Sequence, residues 1–251
     1  LNPTALQITE SGSTTSNTGN AVSVYGEKIA IGSTQRQRVL IYSKDMYNDW
    51  AVEQIINDPE MSGMASLERF GRSVALYEDT LAVGRPRDDG CVRVYVQNAT
   101  GYWTHQQKLS GGQGLGEKLG SSVAIYEDTM VASALGAKKQ MRIAGAVYIY
   151  TRTDNTWQEQ QKIFKPGDVE YSSWNFGHTI SLTKDILAVG TDKPTENFIY
   201  IYVRKGVQWT HKQTITVPSN IEPPVALNGI TLTVGDITNH KAIVYTKKIT
   251  G

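Results

Sequence analysis

Cysteine is almost absent from this 251-residue chain, and long apolar runs are absent altogether. The single cysteine, Cys91, excludes an intrachain disulfide, and its alternating apolar segment is typical of a buried small side chain. No apolar run approaches the roughly 20 residues that a membrane-spanning helix needs, so no membrane span is predicted. The formal net charge is only +1, which predicts neither a nucleic-acid partner nor a membrane surface.

An eleven-residue hairpin sequence recurs five times along the chain. Each copy alternates apolar residues with small or polar ones on either side of a short polar turn, as a β-hairpin does. The copies occupy residues 22–32, 74–84, 123–133, 180–190 and 225–235. Amphipathic stretches of helix length are missing, so the repeat predicts an all-β fold.

Two further strands follow each hairpin, and aromatic residues mark them. A third strand ends in tyrosine, and in the first four repeats a fourth strand begins with tryptophan seven or eight residues later. The tyrosines are Tyr42, Tyr95, Tyr150, Tyr202 and Tyr245, and the tryptophans are Trp50, Trp103, Trp157 and Trp209. Four antiparallel strands with a period of about 50 residues are typical of a β-propeller blade. These aromatic residues are therefore predicted to pack blade against blade.

The repeats fill residues 1–251 as one domain. The blades are expected at 18–57, 70–110, 119–164, 176–216 and 223–251. The last repeat lacks a fourth strand, and continuing the count through the N-terminus places Ile8 at an aliphatic position of that strand. We therefore predict a single five-bladed β-propeller of four-stranded antiparallel blades, closed when residues 6–10 complete the last blade.

The repeats resemble FG-GAP repeats, the units of the integrin α-subunit head propeller and of many extracellular proteins. The matching segments are FGRSVA at 70–75, LAVGRP at 81–86 and GAVYIY at 145–150, followed by Trp157 and Gln161. The resemblance implies a propeller and a binding role such as cell adhesion. Family members commonly have seven blades, whereas five repeats are counted in this sequence.

Several repeats of that family also carry a calcium loop of Asp-x-Asp-x-Asp-Gly type between their first two strands. Calcium needs about six to eight oxygen ligands, and the tight hairpin turns of this chain have no room for them. The Asp88-Asp89-Gly90 segment lies in a different loop and is too short. The histidines are scattered, at His105, His178, His211 and His240. We therefore expect no metal site and no cofactor.

The innermost strand of each blade lines the central channel, where five-bladed glycoside hydrolases place paired carboxylates. The corresponding segments of this chain contain no Asp or Glu. They are residues 20–23, 72–75, 121–124, 178–181 and 224–226. The nearby acids fall in the hairpin turns instead, at Glu27, Glu78, Asp79, Glu127, Asp128 and Asp185. We therefore expect no enzymatic activity, and a glycan-processing enzyme with a different site is the less favoured reading.

Long and dissimilar loops are expected on one face of the propeller, and loops commonly carry function. Basic residues of these loops are candidates for ligand binding: Arg36, Arg38, Arg72, Arg85, Arg87, Lys138, Lys139 and Arg142. Acids lie among them, so an ordinary mixed surface is the alternative. Tyr171 and Trp174, in the loop that enters the fourth blade, either contact a ligand or cover the blade.

These observations favour a non-enzymatic interaction module, extracellular or surface-exposed, that binds a protein or glycan through its loops. The sequon Asn98-Ala99-Thr100, a potential glycosylation site, agrees with that location. The alternative from another class is an architectural subunit of an oligomer or of a virion-type particle.

Overall fold

The computed structural model describes residues 17–60, 69–87, 90–112, 116–167, 175–192, 197–217, 224–236 and 241–246. Within these ranges every helix or strand assigned is a β-strand. Apolar and polar residues alternate along most of them, which gives each sheet two distinct faces. The all-β prediction is confirmed.

The strands fall into five groups along the chain. The first blade contains β1 (Thr18–Tyr25), β2 (Lys28–Ser33), β3 (Arg38–Lys44) and β4 (Trp50–Asn57). The second contains β5 (Ser73–Tyr77), β6 (Thr80–Arg85), β7 (Cys91–Gln97) and β8 (Trp103–Ser110). The third contains β9 (Leu119–Tyr126), β10 (Thr129–Ala134), the short β11 (Lys138–Lys139) and β12 (Arg142–Ile143), then β13 (Ala146–Thr153) and β14 (Thr156–Phe164).

The last two blades follow the same plan. The fourth contains β15 (Thr179–Leu182), β16 (Ile186–Gly190), β17 (Asn197–Lys205) and β18 (Gln208–Val217). The fifth contains β19 (Val225–Asn228), β20 (Thr231–Asp236) and β21 (Lys241–Thr246). Apart from the β11–β12 pair, each group is one antiparallel sheet with its strands in chain order, and the fold is a five-bladed β-propeller as predicted. The predicted closing strand, residues 6–10, lies outside the described residues.

The hydrophobic core lies between blades. Val39 and Ile41 of the first blade pack with Val74, Leu76 and Leu81 of the second. The junctions between the second and third, third and fourth, and fourth and fifth blades are built in the same way. Each of the three internal blades therefore buries one face on the preceding blade and the other on the following blade. We call the face directed at the preceding blade the leading face, and the face directed at the following blade the trailing face.

The Phe-Gly pair that opens a repeat has a structural cause at these junctions. Phe70 is fully buried. Gly71 lies very close to Gly32 of the preceding blade, because a Cβ added to Gly32 would be only 2.0 Å from the Gly71 carbonyl oxygen. Gly71 also has a φ of 81°, which residues with a side chain adopt only at a cost. Gly120 meets Gly84 in the same way at the next junction. The glycines of the repeat therefore let neighbouring blades approach backbone to backbone.

A glutamine on the outer strand of each of the first three blades ties that blade to the next. The Gln54 side chain donates to the Trp103 carbonyl at 2.9 Å and accepts from the Trp103 backbone N–H at 2.8 Å. Gln107 binds the backbone of Trp157 in the same way. Gln161 repeats the pairing with Trp209. Trp103, Trp157 and Trp209 are each only 2% exposed, which confirms their predicted place in the core.

The two outermost faces of the described blades differ from the internal junctions. Val74 and Leu76 on the leading face of the second blade are 7% and 5% exposed, whereas Val22 and Val24 at the same repeat positions of the first blade are 57% and 61% exposed. Val244 on the trailing face of the fifth blade is 59% exposed, although its counterparts in the first three blades are fully buried. The described residues therefore form four packed blade junctions.

Candidate binding face

Antiparallel pairing divides the connections between two ends of the propeller. Ser73 at the start of β5 pairs with Gly84, and Arg85 at the end of β6 pairs with Cys91. The connections after each second strand and before each first strand therefore share one end, the loop-rich face. The two-residue hairpin turns between first and second strands and the turns between third and fourth strands share the other end, the turn face.

A short β-ribbon, residues 138–143, extends from the third blade on the loop-rich face. Lys138 pairs with Ile143 and Lys139 with Arg142. Both turn residues have a positive φ, 51° at Gln140 and 67° at Met141, as a type I′ turn requires. Met141 is 92% exposed at the tip, and Lys138 and Arg142 are exposed beside it.

The base of the ribbon is fixed in the blade. Ala137 is fully buried and its carbonyl accepts the backbone N–H groups of Ala144 and Gly145, at 2.9 and 3.1 Å. Lys139 lies back over the blade, where its Nζ is 5.9 Å from the centre of the Phe164 ring and 3.3 Å from the Gly167 carbonyl oxygen. The ribbon thus presents Lys138, Met141 and Arg142 outward from a rigid base.

Arg85 does not lie on the surface, in contrast to the expectation that it contacts a ligand. Its Nε donates to Asp58 Oδ2 at 2.9 Å, and the two side chains are 5% and 0% exposed. Arg93 is buried alongside, with Nη2 2.7 Å from Glu60 Oε1 but off the line of a hydrogen bond. Burying a guanidinium requires such a partner, so Arg85 fastens the first junction.

The charges around this junction shift two pKa values. Arg93 is the main cause that holds the pKa of Glu60 below its ordinary value, with Lys108 acting in the same direction and partial burial opposing it. Burial, followed by repulsion from Arg93, lowers the pKa of His105. The cluster is therefore an ion-pair network between two blades.

A second polar cluster occupies the next junction. The Tyr148 hydroxyl and Lys162 both bind the buried carboxylate of Glu117, and Lys162 Nζ lies 2.8 Å from Glu117 Oε1. Lys162 also contacts the Tyr148 hydroxyl and lies 4.4 Å from the centre of its ring. Glu117 therefore anchors the loop that enters the third blade.

The remaining basic candidates are distributed over the loop-rich face. Arg36, Arg38, Arg72 and Arg87 are half-buried at the first two blades. Tyr171 and Trp174 lie outside the described residues. The structure therefore places the exposed predicted cations on the ribbon of the third blade, and the ligand-binding role of these residues stays a prediction.

The turn face carries a feature that the sequence reasoning missed. Tyr25, Tyr77 and Tyr126 form a row in which successive ring centres are 4.9 and 5.4 Å apart. They occupy one repeat position, directly before the hairpin turn, and that shared position was the available signal. Tyr25 is 37% exposed, and the other two are half-buried. We call these residues the tyrosine row.

The sequon also lies on the turn face. Asn98 is exposed in the turn between β7 and β8. Its Oδ1 accepts the backbone N–H groups of Thr100 and Tyr102, at 3.0 and 2.9 Å. Whether a glycan is attached there stays a prediction.

The described ranges contain neither a candidate metal site nor a membrane-spanning helix. No group of three or more His, Cys, Asp or Glu side chains in them could hold a metal ion. No helix there is long and apolar enough to cross a membrane.

Solved structures similar to this chain are propellers and other proteins of low sequence identity. BamB from Moraxella catarrhalis is 11% identical with a TM-score of 0.59, and the match covers 94% of this chain and 62% of that one. A protein from Lactobacillus plantarum is 14% identical, TM-score 0.57, with 90% and 69% covered. The Cps50 (Swd1) β-propeller domain from Myceliophteria thermophila is 9% identical, TM-score 0.56, with 88% and 67% covered. These likenesses concern the fold, and this chain spans less than two thirds of BamB.

Comparison of the sequence with family models identifies two repeat segments. No curated protein sequence matches the chain. The family model of the FG-GAP repeat matches residues 61–98 and 103–150, which include the Phe-Gly pair at residues 70 and 71 and residues 146–150 of β13. These two segments are therefore FG-GAP repeats within a five-bladed β-propeller.

Proposed function

We propose that this propeller is a non-enzymatic interaction module, extracellular or exposed at a surface, whose loop-rich face binds a protein or glycan with negative charge. The observation that carries the proposal is the basic ribbon of the third blade. Lys138 and Arg142 are exposed on adjacent strands, and Met141 between them is 92% exposed. Methionine adapts its shape to varied surfaces, which suits a contact residue flanked by cations.

The rigidity of the ribbon supports the same role. Its base is buried and hydrogen-bonded, so little conformational entropy is lost when it binds. Its turn uses two residues with positive φ other than glycine, a costly choice where Asn-Gly would be relaxed. Such a turn is consistent with side chains that are retained for contact rather than for stability.

The double variant Lys138→Glu with Arg142→Glu tests the proposal. It should elute from a heparin column and from a polyglutamate column at lower salt than the original protein, because exposed cations dominate such binding. The matched control is Lys184→Glu with Lys205→Glu, which makes the same change in net charge at exposed positions of the turn face. Equal losses in the two variants would show that net charge matters and the ribbon does not.

The absence of acids from the inner-strand segments supports a non-enzymatic role. Incubation of the protein with a panel of polysaccharides should release no sugar. Sustained release that persists in an independently purified preparation would contradict this part of the proposal.

A second candidate function, an architectural subunit of an oligomer, is favoured by the exposed Val22, Val24 and Val244 on the two outermost blade faces. Exposed apolar faces of this kind promote association. Light scattering separates the candidates, since an interaction module of this size is expected to be a monomer over a wide concentration range.

A further inference from the structure

The tyrosine row joins the first three blades at the inner end of the turn face. Tyr77 packs against the junction between the second and third blades, and Tyr126 against the next junction. The rings are tilted by 45° and 47° to their neighbours. They form a stepped surface rather than the flat platform on which a sugar ring stacks.

Carboxylates border this row, and they differ in whether they form ion pairs. Within the described residues, Glu78 and Glu127 form no ion pair. Two other turn acids differ, since Asp128 lies 2.8 Å from Arg152 and Glu27 lies 3.8 Å from Lys44. Negative charge without an ion-pair partner among the described residues therefore lies next to the tyrosine row.

The pKa of the Tyr77 hydroxyl is affected by that charge. Burial raises its pKa, and Tyr25, Glu127, Glu78 and Tyr126 each raise it further. The two glutamates therefore place negative potential on the middle of the row. A ligand cation bound there would relieve it.

The turn backbones carry the glutamates at a conformational cost. Glu78 and Glu127 both have a φ of 51°, whereas Gly26 and Gly229 fill the same turn position in the first and fifth blades. A residue with a side chain is strained in this conformation. Glycine would be the relaxed choice at both positions.

A cleft of about 460 Å³ adjoins the row at the first blade, lined in part by Tyr25 and Glu78. Lys28 and Lys44 also line it. Lys28 is paired with Glu53 at 2.8 Å, and Lys44 with Glu27, so neither neutralises Glu78. Glu78 is therefore the carboxylate lining this cleft that forms no ion pair with the described residues.

We propose that the tyrosine row, with Glu78 and Glu127, binds the lysine and arginine side chains of a basic protein segment. An ammonium or guanidinium group held within about 6 Å of a tyrosine ring is attracted by the ring face. A carboxylate beside the ring adds charge attraction and a hydrogen-bond acceptor. Tyr25, which is 37% exposed, is the most accessible ring of the row. This surface lies at the opposite end of the propeller from the basic ribbon and takes ligands of opposite charge.

The probe is a fluorescein-labelled peptide of eight lysines, whose binding is measured by fluorescence anisotropy at low and raised salt. Tyr25→Leu with Tyr77→Leu retains apolar volume and removes the ring faces, and it should weaken binding by about tenfold. Glu78→Gly with Glu127→Gly removes the charges, and we expect a loss of about fivefold to tenfold. Because glycine relaxes these turns, this variant should melt at an equal or higher temperature, so misfolding cannot explain its loss.

Asp154→Gly is the matched control. Asp154 is also exposed, also has a positive φ, 48°, and also lies on the turn face, but in the outermost turn of the third blade. It should bind the peptide as the original protein does. A peptide with norleucine in place of lysine should not bind.

Equal affinity of the original protein, the glutamate variant and Asp154→Gly would overturn the proposal. So would binding of a neutral hexasaccharide that is lost with the tyrosines and unchanged in the glutamate variant. The ribbon variant Lys138→Glu with Arg142→Glu should bind the lysine peptide at least as well as the original protein. The lysine-peptide assay therefore tests the tyrosine row independently of the ribbon, and a negative result for one surface does not decide the proposal for the other.

Discussion

Glu60 is the solvent-facing member of the ion-pair network between the first two blades. Its carboxylate is 45% exposed and contacts Arg93 at 2.7 Å and Lys108 at 3.2 Å. Behind it, Asp58 and Arg85 are almost fully buried. Exposure screens the contribution of Glu60. Its neutralisation also takes from the buried Arg93 the nearer of its two carboxylates and leaves Asp58 at 3.9 Å.

The lowered pKa of Glu60 predicts how this contribution depends on pH. Because its folded-state pKa lies below the ordinary value of 4.5, the stabilisation is complete above pH 4.5 and is lost as the pH falls through the folded-state pKa. Glu60→Gln should therefore melt at a lower temperature than the original protein at neutral pH, and the difference should shrink below pH 4.5.

Melting curves between neutral and acidic pH check this prediction. Glu159→Gln is the control, because Glu159 is exposed on β14 and forms no ion pair within the described residues. Its melting temperature should follow that of the original protein at every pH. A pH-independent difference for Glu60→Gln would instead indicate a packing effect.

Residues that act across a blade junction are the hardest to predict from the sequence. Arg85 and Asp58 are 27 positions apart in different repeats, and only the docking of the two blades brings them together. One signal was present, because Arg93 stands where Leu40 and Tyr148 stand in the neighbouring repeats. A charged residue at an apolar repeat position predicts a buried partner, although it does not identify Asp58.

At the scale of the strands, burial at one repeat position depends on which blade carries it. Val22 on β1 and Val74 on β5 are both valines at the same position of the repeat, yet Val22 is 57% exposed and Val74 is 7% exposed. Val74→Ala should lower the free energy of unfolding by about 2 kcal/mol, because it removes two buried carbon atoms and leaves a cavity. Val22→Ala should cost about 0.5 kcal/mol or less.

Urea unfolding of the two variants measures this difference. The loss of β-propensity is similar at both sites, so the comparison isolates burial. Losses of equal size would mean that Val22 is covered in solution, by another part of this chain or by a second copy.

Strands with a strong pattern were predictable, and those without one were not. The first hairpins follow from period-two alternation around a short turn, as β5 and β6 illustrate. The ribbon of β11 and β12 has only two residues in each strand and a basic sequence. No alternation can appear over that length, so Lys138, Lys139 and Arg142 are predicted to lie in a loop. Its turn residues, Gln140 and Met141, also lack the Asn-Gly signal of a type I′ turn.

At the scale of the whole molecule, stability in a repeat fold is close to a sum over blades and their junctions. An internal blade is held by two packed junctions. The first and fifth blades each take part in one of the four junctions formed by the described residues. Their outward faces expose Val22, Val24 and Val244. Local opening should therefore begin at these two blades.

Amide hydrogen exchange tests that gradient. The second strands β2, β10 and β20 are suitable because each is hydrogen-bonded to a strand on both sides. Amides of β10, in the middle blade, should exchange most slowly, and those of β2 and β20 should exchange faster, because opening an end blade breaks one junction rather than two. The predicted ring closure leads to a different exchange pattern, because it would give the first and fifth blades a second packed junction. If the first and fifth blades pack on each other as tightly as their neighbours do, protection in β2 and β20 will equal that in β10, and the exposed valines will prove to be covered in solution.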